Sequence, residues 1–238
     1  MQTRDVDYGA EAVNLRGYLA WDETIAGPRP GVLVFHEGLG LGDFAMARAR
    51  RLAELGYVAL AADMFGDRRQ ADNLQEVANL VGGLRMEPEA LRARGHAALA
   101  TLAALPEVDT NRMAAIGFCF GGSVVLELAR AGADLKAVVS FHGVLTTQSP
   151  ATSGQVKPSV LVLTGADDPL APPEQVTAFE HEMRAAKVRD WQVISYGNTL
   201  HGFTNPAADG SMMRTALYSE QADRRSWASM RSLFDEVF

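Results

Sequence analysis

The chain has 238 residues, of which 47% are hydrophobic and 21% are charged, as in ordinary soluble globular proteins. A formal net charge of −7 argues against a nucleic-acid-binding surface, and no apolar run reaches the length that crosses a membrane. The single cysteine, Cys119, excludes an intrachain disulfide and a cysteine-based zinc site. No apolar core follows the first charged residues, so we expect no signal peptide and a cytoplasmic protein.

The N-terminal residues alternate between apolar and polar side chains, which predicts a β-hairpin. Its strands include residues 6–8 and 15–19, and the turn is expected at 9–11. Continuous apolar runs follow at 32–35 and 57–62. Runs of this kind are typical of strands that are buried on both faces of a parallel sheet.

Helices and strands then alternate along the rest of the chain. The predicted helices are 44–55 capped by Asp43, a helical region at 70–105 with a break near Gly82 and Gly83 and with Pro88 in a first turn, and 123–130, 172–187 and 213–237. The further predicted strands are 113–116, 137–141, 160–163 and 191–196. This alternation predicts right-handed crossovers, a mostly parallel sheet of about eight strands covered by helices on both faces, and one domain over 1–238.

The hexapeptide Gly117-Phe118-Cys119-Phe120-Gly121-Gly122 joins a predicted strand to a predicted helix. It matches the G-x-S-x-G nucleophile elbow of α/β-hydrolases, with Cys119 in place of serine. Gly117 and Gly121 leave room for the tight turn. The helix N-terminus favours a thiolate at Cys119, and the backbone N–H of Phe120 would face an oxyanion. Alternatively, Cys119 has no catalytic role and is a small buried hydrophobic residue.

The same fold places an acid and a histidine after the nucleophile, each in a loop that follows a strand. The strand at 160–163 leads to Asp167 and Asp168, and we favour Asp168 because it directly precedes a proline in a tight turn. The last predicted strand leads to His201. An isolated aspartate or histidine in a loop is more often structural, but the three residues in the right order predict a Cys-His-Asp triad.

The other four histidines are weaker candidates. His96 and His181 lie in predicted helices and are expected on the surface. His142 follows a strand but precedes the acid, so its order in the chain is wrong for a triad. His36 follows the first parallel strand and is expected either to line the site or to pack beside it.

The loop after the first parallel strand has two interpretations. Gly38 and Gly40, with Asp63 after the next strand, resemble part of a dinucleotide-binding fingerprint. However, Asp43 occupies the third glycine position, and its carboxylate would repel a pyrophosphate. We therefore favour a hydrolase in which the backbone N–H of Gly38 or Leu39 is the second oxyanion donor.

These motifs together resemble the dienelactone hydrolase family, and the resemblance extends over essentially the whole chain. It rests on the cysteine elbow, the loop His36-Glu37-Gly38, Asp168 and the tripeptide His201-Gly202-Phe203. The resemblance implies hydrolysis of an ester or lactone through Cys119 as nucleophile, His201 as base and acid, and Asp168 as its orienting partner. It also implies that Glu37 pairs with the thiol and takes its proton.

One position departs from the family pattern. The namesake enzyme holds its substrate's carboxylate with arginines, one of them four residues after the histidine, where this chain has Asn205. Arg68, Arg69 and Arg85 are other candidates in the region that could cover the pocket, although an arginine taken singly is more often a solvated residue on a helix surface. A compact, partly hydrophobic pocket is expected from a further group of residues: His36, Met64, Phe65, Phe120, Phe203 and Asn205.

The expected activity is therefore hydrolysis of a small-molecule ester or lactone by a monomer or homodimer, without a cofactor or a metal ion. A thioesterase, an amidase or an acyl transferase would use the same triad. A protein of another class, which binds a ligand or senses oxidants through Cys119, is a further alternative. The ordered acid and base argue against a sensor, because oxidation of a thiol does not need them.

Overall fold

The computed structural model describes residues 1–10 and 12–238, and these form an eight-stranded sheet. The strands are β1 (Gln2–Ala10), β2 (Val13–Trp21), β3 (Arg29–Phe35), β4 (Val58–Ala62), β5 (Val108–Phe118), β6 (Ala137–Phe141), β7 (Ser159–Gly165) and β8 (Trp191–Tyr196). Their spatial order is β1-β2-β4-β3-β5-β6-β7-β8. The pairs β1–β2 and β2–β4 are antiparallel, and the other five pairs are parallel. The predicted α/β-hydrolase architecture, with its antiparallel N-terminal hairpin, is confirmed.

Helices cover both faces of this sheet. They are α1 (Asp43–Glu54), α2 (Leu74–Met86), α3 (Pro88–Ala103), α4 (Phe120–Arg130), α5 (Pro173–Ala185) and α6 (Glu220–Val237). Because neighbouring residues of a strand point to opposite faces, each central strand contributes to two cores. Leu33 packs in the core beneath α3, α4 and α5, and Val34 packs in the core beneath α1 and α6. The loops at the carboxyl ends of the parallel strands are therefore held from both sides.

None of the helices in the described part of the chain is long and apolar enough to span a membrane.

The structure corrects two predictions near the N-terminus. Gly9 and Ala10 are the last residues of β1 and pair with β2, so the expected turn at 9–11 does not begin at Gly9. The rest of that turn, Glu11, lies outside the described residues. Gly42, and not Asp43, is the N-cap of α1, and no side chain caps this helix end. Asp43 is the first residue of the helix. There its carboxylate still lies in the first turn, where it interacts favourably with the helix dipole.

Two helix boundaries were also wrong. The helical region breaks at Glu87, between α2 and α3, and not at the glycine pair. Gly82 and Gly83 have open space beside them and are tolerated inside α2, whereas Pro88 cannot continue a helix but suits a first turn. The last helix begins at Glu220 and not at residue 213, because Ser219 caps it by accepting the N–H of Ala222.

Candidate active site

The turn between β5 and α4 holds Cys119 in a backbone conformation that side chains rarely adopt, with φ 52° and ψ −112°. Close packing around this turn leaves no room for a side chain at either of the two flanking glycines. A Cβ on Gly117 would lie 1.9 Å from the carbonyl oxygen of Gly121, and one on Gly121 would lie 2.2 Å from that of Phe35. The glycines of the motif are thus required by contact, and the strain at Cys119 is sustained by the surrounding backbone.

Backbone hydrogen bonds fix the same turn to the neighbouring strands. The N–H of Cys119 donates to the carbonyl of Phe141 at 3.0 Å, and the N–H of Gly121 donates to that of His36 at 3.0 Å. Cys119 is partly exposed. The cysteine therefore stands at the carboxyl edge of the sheet, at the N-terminus of α4.

Asp168 and His201 meet at this edge. His201 Nδ1 lies 2.8 Å from Asp168 Oδ2, and both side chains are buried. The other oxygen, Oδ1, accepts the N–H of Leu170 at 2.8 Å. Asp167 is exposed, and its backbone N–H instead bonds to the carbonyl of Thr199. The structure thus brings Asp168, and not its neighbour, to the histidine.

The ring of His201 faces the thiol from its other side. Burial alone lowers the pKa of His201, but the negative charge that Cys119 carries when ionised and the hydrogen bond to Asp168 outweigh it and raise the pKa to about 10. His201 Nε2 is buried and makes no hydrogen bond of good geometry with the described residues. Catalytic hydrogen bonds are often long until the transition-state complex forms. The arrangement can take a proton from sulfur and return it to a leaving group.

Two more buried histidines lie beside the site, and backbone groups fix their tautomers. His142 Nδ1 accepts the N–H of Cys119 at 3.1 Å, so Nε2 carries the proton and donates to Thr204 Oγ1 at 2.8 Å. His36 Nε2 accepts the N–H of Met64 at 3.2 Å, so Nδ1 donates to the carbonyl of Glu37. Burial lowers the pKa of both rings, and that of His142 is well below its usual value. Both histidines are therefore neutral structural groups.

Glu37 is partly buried, and its carboxylate is held by Asn205. Asn205 Nδ2 donates to Glu37 Oε2 at 2.6 Å. Burial raises the pKa of Glu37 to about 7, although the bond from Asn205 and the charges of His201 and Arg48 oppose that rise. No hydrogen bond joins Glu37 to Cys119 among the described residues.

The backbone N–H groups expected to bind an oxyanion lie in two turns beside Cys119. Phe120 is the first residue of α4, a position at which the N–H has no partner within the helix. Gly38 and Leu39 occupy the middle of a turn closed by the N–H of Gly40 donating to the carbonyl of Glu37. In the part of the chain that is described, none of the three candidate N–H groups donates to a protein acceptor.

Most of the residues that were expected to line the pocket are buried. His36, Met64 and Phe203 have no exposed surface, and Phe65 and Phe120 are also buried. This burial does not fit the expectation that they line an open pocket, because apolar side chains at a sheet edge are equally needed for packing. The rings of His36, Phe65 and Phe120 instead form one contacting cluster.

A cavity of about 350 Å³ lies along α4, next to the site. Ser123 and Glu127, one and two turns beyond Cys119, form one wall, and Arg85 from α2 forms another. The remaining lining residues come from α2, α3 and the loop after β6: Gly82, Met86, Pro88, Leu91, Thr146, Thr147 and Gln148. Apart from Arg85, no pattern in the sequence predicts the residues that line this cavity, because they come from separate segments of the chain.

Arg85 differs from the other two candidate arginines. Its guanidinium donates to Thr146 Oγ1 at 2.8 Å and has no carboxylate partner in the described chain. Burial lowers the pKa of Arg85, and the charges of Cys119 and Glu127 oppose that change. Arg68 pairs with Asp5, and Arg69 pairs with Glu76.

The hydrogen bonds of Asp63 indicate that it has a structural role. Its carboxylate accepts four backbone N–H groups, from Arg16, Phe65, Gly66 and Arg68. No oxygen is left to bind a ribose, which removes the support for a dinucleotide site. Across the described residues, no group of three or more His, Cys, Asp or Glu side chains is arranged to hold a metal ion.

Two contacts at the site were not foreseen from the sequence, those of His142 with Cys119 and of Asn205 with Glu37. The position of His142 at the carboxyl end of a central strand was a usable signal, because those ends converge on the nucleophile. The second contact joins loops 168 residues apart, and only the folded chain brings them together.

Comparison with known proteins finds similar sequences and structures over nearly the whole chain. The sequence profile of the Dienelactone hydrolase family matches residues 15–238. The solved structure named m3DLH is 48% identical and superposes with a TM-score of 0.95, covering 100% of this chain and 98% of its own. The dienelactone hydrolase-like promiscuous phosphotriesterase P91, from metagenomic libraries, is 47% identical with a TM-score of 0.94 and the same coverage. A Yersinia pestis protein named "Putative carboxymethylenebutenolidase" is 27% identical over 99% of this chain and 91% of its own length.

Proposed function

The chain belongs to the dienelactone hydrolase family, and from that premise we propose that it hydrolyses a carboxylic ester or lactone through Cys119, His201 and Asp168. The observation that carries the proposal is the buried hydrogen bond between Asp168 and His201 beside a cysteine at a strained elbow. The similarity to a protein named as a carboxymethylenebutenolidase supports the reaction class.

In the proposed mechanism, the sulfur of Cys119 gives its proton to His201 Nε2 and attacks the carbonyl carbon. The carbonyl oxygen becomes an oxyanion that accepts hydrogen bonds from the N–H of Phe120 and from that of Gly38 or Leu39. The carbon–oxygen bond to the leaving group breaks, and His201 donates its proton to that oxygen. Water, deprotonated by His201, then cleaves the thioester and restores the thiol.

Asp168 keeps the proton of neutral His201 on Nδ1, so that Nε2 is free to act as the base. It also stabilises the imidazolium once that forms. Its second oxygen is fixed by the N–H of Leu170, which prevents the carboxylate from rotating. The proposed substrate is a small molecule whose remote part fills the cavity along α4, where Arg85 is available for an anionic group.

Hydrolysis of an activated aryl ester by the wild-type protein and by Cys119→Ala tests the proposal. We expect the variant to lose at least about a thousandfold in kcat/KM, since without the nucleophile only the binding contacts and the oxyanion donors remain. Circular dichroism and thermal unfolding would establish that both proteins are folded. Equal rates in the two folded proteins, or no turnover in either with aryl esters and lactones, would overturn the proposal.

A comparison of oxygen esters with thioesters and amides of the same acyl group separates the alternatives that share the triad. A thioesterase or amidase would prefer its own leaving group by more than the difference in intrinsic reactivity. An acyl transferase would form product faster with an added alcohol or amine than with water. A thiol sensor would turn over none of these substrates, and Cys119 would instead react rapidly with hydrogen peroxide.

We also propose a second activity, the hydrolysis of aryl phosphotriesters. Its support is the 47% identity, over the whole chain, to a structure described as a promiscuous phosphotriesterase. The thiolate of Cys119 attacks phosphorus and expels the aryloxide, which takes the proton held by His201, while the phosphoryl oxygen accepts the hydrogen bonds of the oxyanion donors. Water, deprotonated by His201, then cleaves the sulfur–phosphorus bond and restores the thiol. Release of the nitrophenol of paraoxon by the wild-type protein, and not by Cys119→Ala, is the expected result.

A further inference from the structure

One wall of the cavity along α4 is part of the connection between β6 and β7, residues 143–151, which contains neither helix nor strand. We call it the cavity loop, because it supplies Thr146, Thr147 and Gln148 to the cavity lining. In the described chain, residues 143–151 make no backbone–backbone hydrogen bond. Buried backbone groups need hydrogen-bond partners, so the shape of this loop must be fixed by side chains of other elements.

Side chains from α4 and α5 hold the first end of the cavity loop. Ser123 Oγ donates to the carbonyl of Val144 at 2.8 Å. Arg130 Nη2 donates to the carbonyl of Leu145 at 2.8 Å, and Gln175 Oε1 accepts the N–H of Leu145 at 2.8 Å. Leu145 is buried, and both of its backbone polar groups are therefore bonded to side chains.

The other end of the cavity loop is held in the same way. Arg92 from α3 donates through Nη2 to the carbonyl of Ser149 at 3.2 Å. The N–H of Ala151 donates to Glu182 Oε1, from α5, at 2.8 Å. Side chains of α3, α4 and α5 thus supply the hydrogen bonds that a strand or a helix would have made within the backbone.

Arg130 joins these anchors into one network. Its Nε and Nη2 donate to the two carboxylate oxygens of Glu182 at 2.8 Å each, and its Nη1 donates to Glu127 Oε1 at 3.1 Å. Glu127 Oε2 in turn accepts a hydrogen bond from Arg92 Nη2 at 2.8 Å. Arg130 is only 3% exposed, so solvent screens these ion pairs little. Burial alone raises the pKa of Glu182, but the bonds from Arg130 and from the N–H of Ala151 outweigh it and lower the pKa.

We propose that Arg130 is a positioning residue that sets the substrate specificity of the cavity by fixing the cavity loop. Cys119 lies at the N-terminus of α4 and Arg130 lies in its last turn, about 16 Å farther along the helix axis. At that distance the guanidinium does not touch the reacting atoms, so it acts on substrate binding through Leu145 and Glu182. This inference deepens the proposed function and rests on it for the reaction.

The physical reason is the shape of the guanidinium group. Its nitrogen atoms bond Glu182, Glu127 and the carbonyl of Leu145 at the same time. Lysine carries the same charge on a single nitrogen atom, which cannot make the paired bonds to a carboxylate and also reach the other two partners. Arg130→Lys therefore releases the cavity loop while the charge of the network stays unchanged.

Exchange of the amide protons of Leu145 and Ala151 with deuterated solvent, followed by NMR, tests the holding of the loop without any substrate. We expect Arg130→Lys to accelerate exchange at both positions at least about tenfold, because local opening of the loop becomes less costly. Arg184→Lys, on α5, is the matched control. Arg184 pairs with Glu180 and makes no hydrogen bond with the cavity loop in the described chain, so this variant should exchange as the wild type does.

Ester kinetics test the effect of the loop on specificity. Two pairs of aryl esters, one lengthened in the acyl group and one in the leaving group, identify the part of the substrate that reaches the cavity. For the longer ester of that pair, we expect Arg130→Lys to raise KM about fivefold and to keep kcat within about twofold, since binding is lost equally from the ground state and the transition state. The shorter esters do not fill the cavity and should keep the wild-type KM. General destabilisation of the protein would not separate long esters from short ones.

Gln175→Leu repeats both measurements if Arg130→Lys does not fold, because it removes one anchor of the loop and no charge. It should accelerate exchange at Leu145 and raise the KM of the same longer ester by about threefold.

Each measurement has a result that would overturn the inference. Unchanged exchange in folded Arg130→Lys would show that the guanidinium does not hold the cavity loop. Faster exchange with an unchanged KM for every ester would show that the loop does not set specificity.

Failure of the proposed function gives a different result, in which the wild-type protein hydrolyses no ester. Cys119 is the only cysteine, so the ratio of its alkylation rates with iodoacetanilide and with the smaller iodoacetamide then replaces KM as the measure of the cavity. That ratio should fall at least about threefold in Arg130→Lys and stay constant in Arg184→Lys. A constant ratio in both variants would contradict the role of Arg130.

Discussion

His201 and His142 offer a comparison within one edge of the sheet. Both are almost fully buried, and their ring centroids are only 5.1 Å apart. In the loop after β8, His201 lies between the carboxylate of Asp168 and the thiol of Cys119. In the loop after β6, His142 contacts the backbone N–H of Cys119 and the hydroxyl of Thr204. The first ring is thus prepared to be a cation, and the second is held neutral.

The difference shows that burial does not decide the protonation of a histidine. Burial lowers the pKa of both rings, but only His201 has negatively charged partners that outweigh it. The charge of His201 itself further lowers the pKa of His142. Because two imidazolium ions at this distance would repel each other, a neutral His142 is a condition for a charged His201.

The largest effect is expected from removing the negative charge of Asp168, a partner that His201 has and His142 lacks. Asp168→Asn keeps the size of the side chain but can favour the wrong tautomer of His201, with the proton on Nε2. We expect kcat to fall by about 10³–10⁴, as for the equivalent change in a serine-protease triad. Steady-state ester hydrolysis measures it, and a change of less than tenfold in a folded variant would assign the acid role to another residue.

A change at His142 should affect stability more than chemistry. His142→Ala leaves a cavity and an unpaired hydroxyl at Thr204, and we expect a loss of about 2–4 kcal/mol in the free energy of unfolding. His142→Asn should cost less, because asparagine tolerates the left-handed backbone (φ 40°) at this position. Urea unfolding measures both variants. If either folded variant lost as much activity as Asp168→Asn, His142 would take part in the reaction itself.

The raised pKa of His201 also predicts how stability depends on pH. While Cys119 is a thiolate, the folded protein holds this proton up to about pH 10, whereas the unfolded chain releases it near 6.5. The contribution of His201 alone to stability is complete below pH 6.5 and is lost as the pH rises toward 10. The slope cannot exceed about 1.4 kcal/mol per pH unit for one group. Cys119→Ser removes the thiolate charge and should flatten this part of the profile, and an unchanged slope would contradict the pairing.

The elements of the fold were largely predictable from hydrophobic pattern. The residue pattern predicts β6 and β8 with the bounds that the structure has, because both segments end at clear turn signals. The helix boundaries at Glu87 and Glu220 were not, since glycine is tolerated on an exposed helix surface and a polar segment without regular structure can resemble a helix. That segment, before Ser219, is ordered by contacts with the His201 loop, such as the N–H of His201 donating to the carbonyl of Thr215.

The residues that meet at the site were predictable in part. Chain order and strand ends indicated that Cys119, Asp168 and His201 would converge, because the carboxyl ends of parallel strands share one edge. The bond between Asn205 and Glu37 depends on the relative position of two loops that no local pattern describes. The ion pair of Arg130 with Glu182 likewise joins two helices, α4 and α5, whose relative position no local pattern describes.

The smallest effect is expected at Asp167, the neighbour of the proposed acid. Its side chain is exposed, whereas that of Asp168 is buried against His201, so the two carboxylates differ in environment and not in chemistry. Asp167→Asn should change kcat/KM by less than about twofold, because solvent screens an exposed charge. Parallel assays of the two asparagine variants make this a matched pair. A large loss in Asp167→Asn with normal activity in Asp168→Asn would reverse the assignment of the acid and, with it, the contrast between the two histidines.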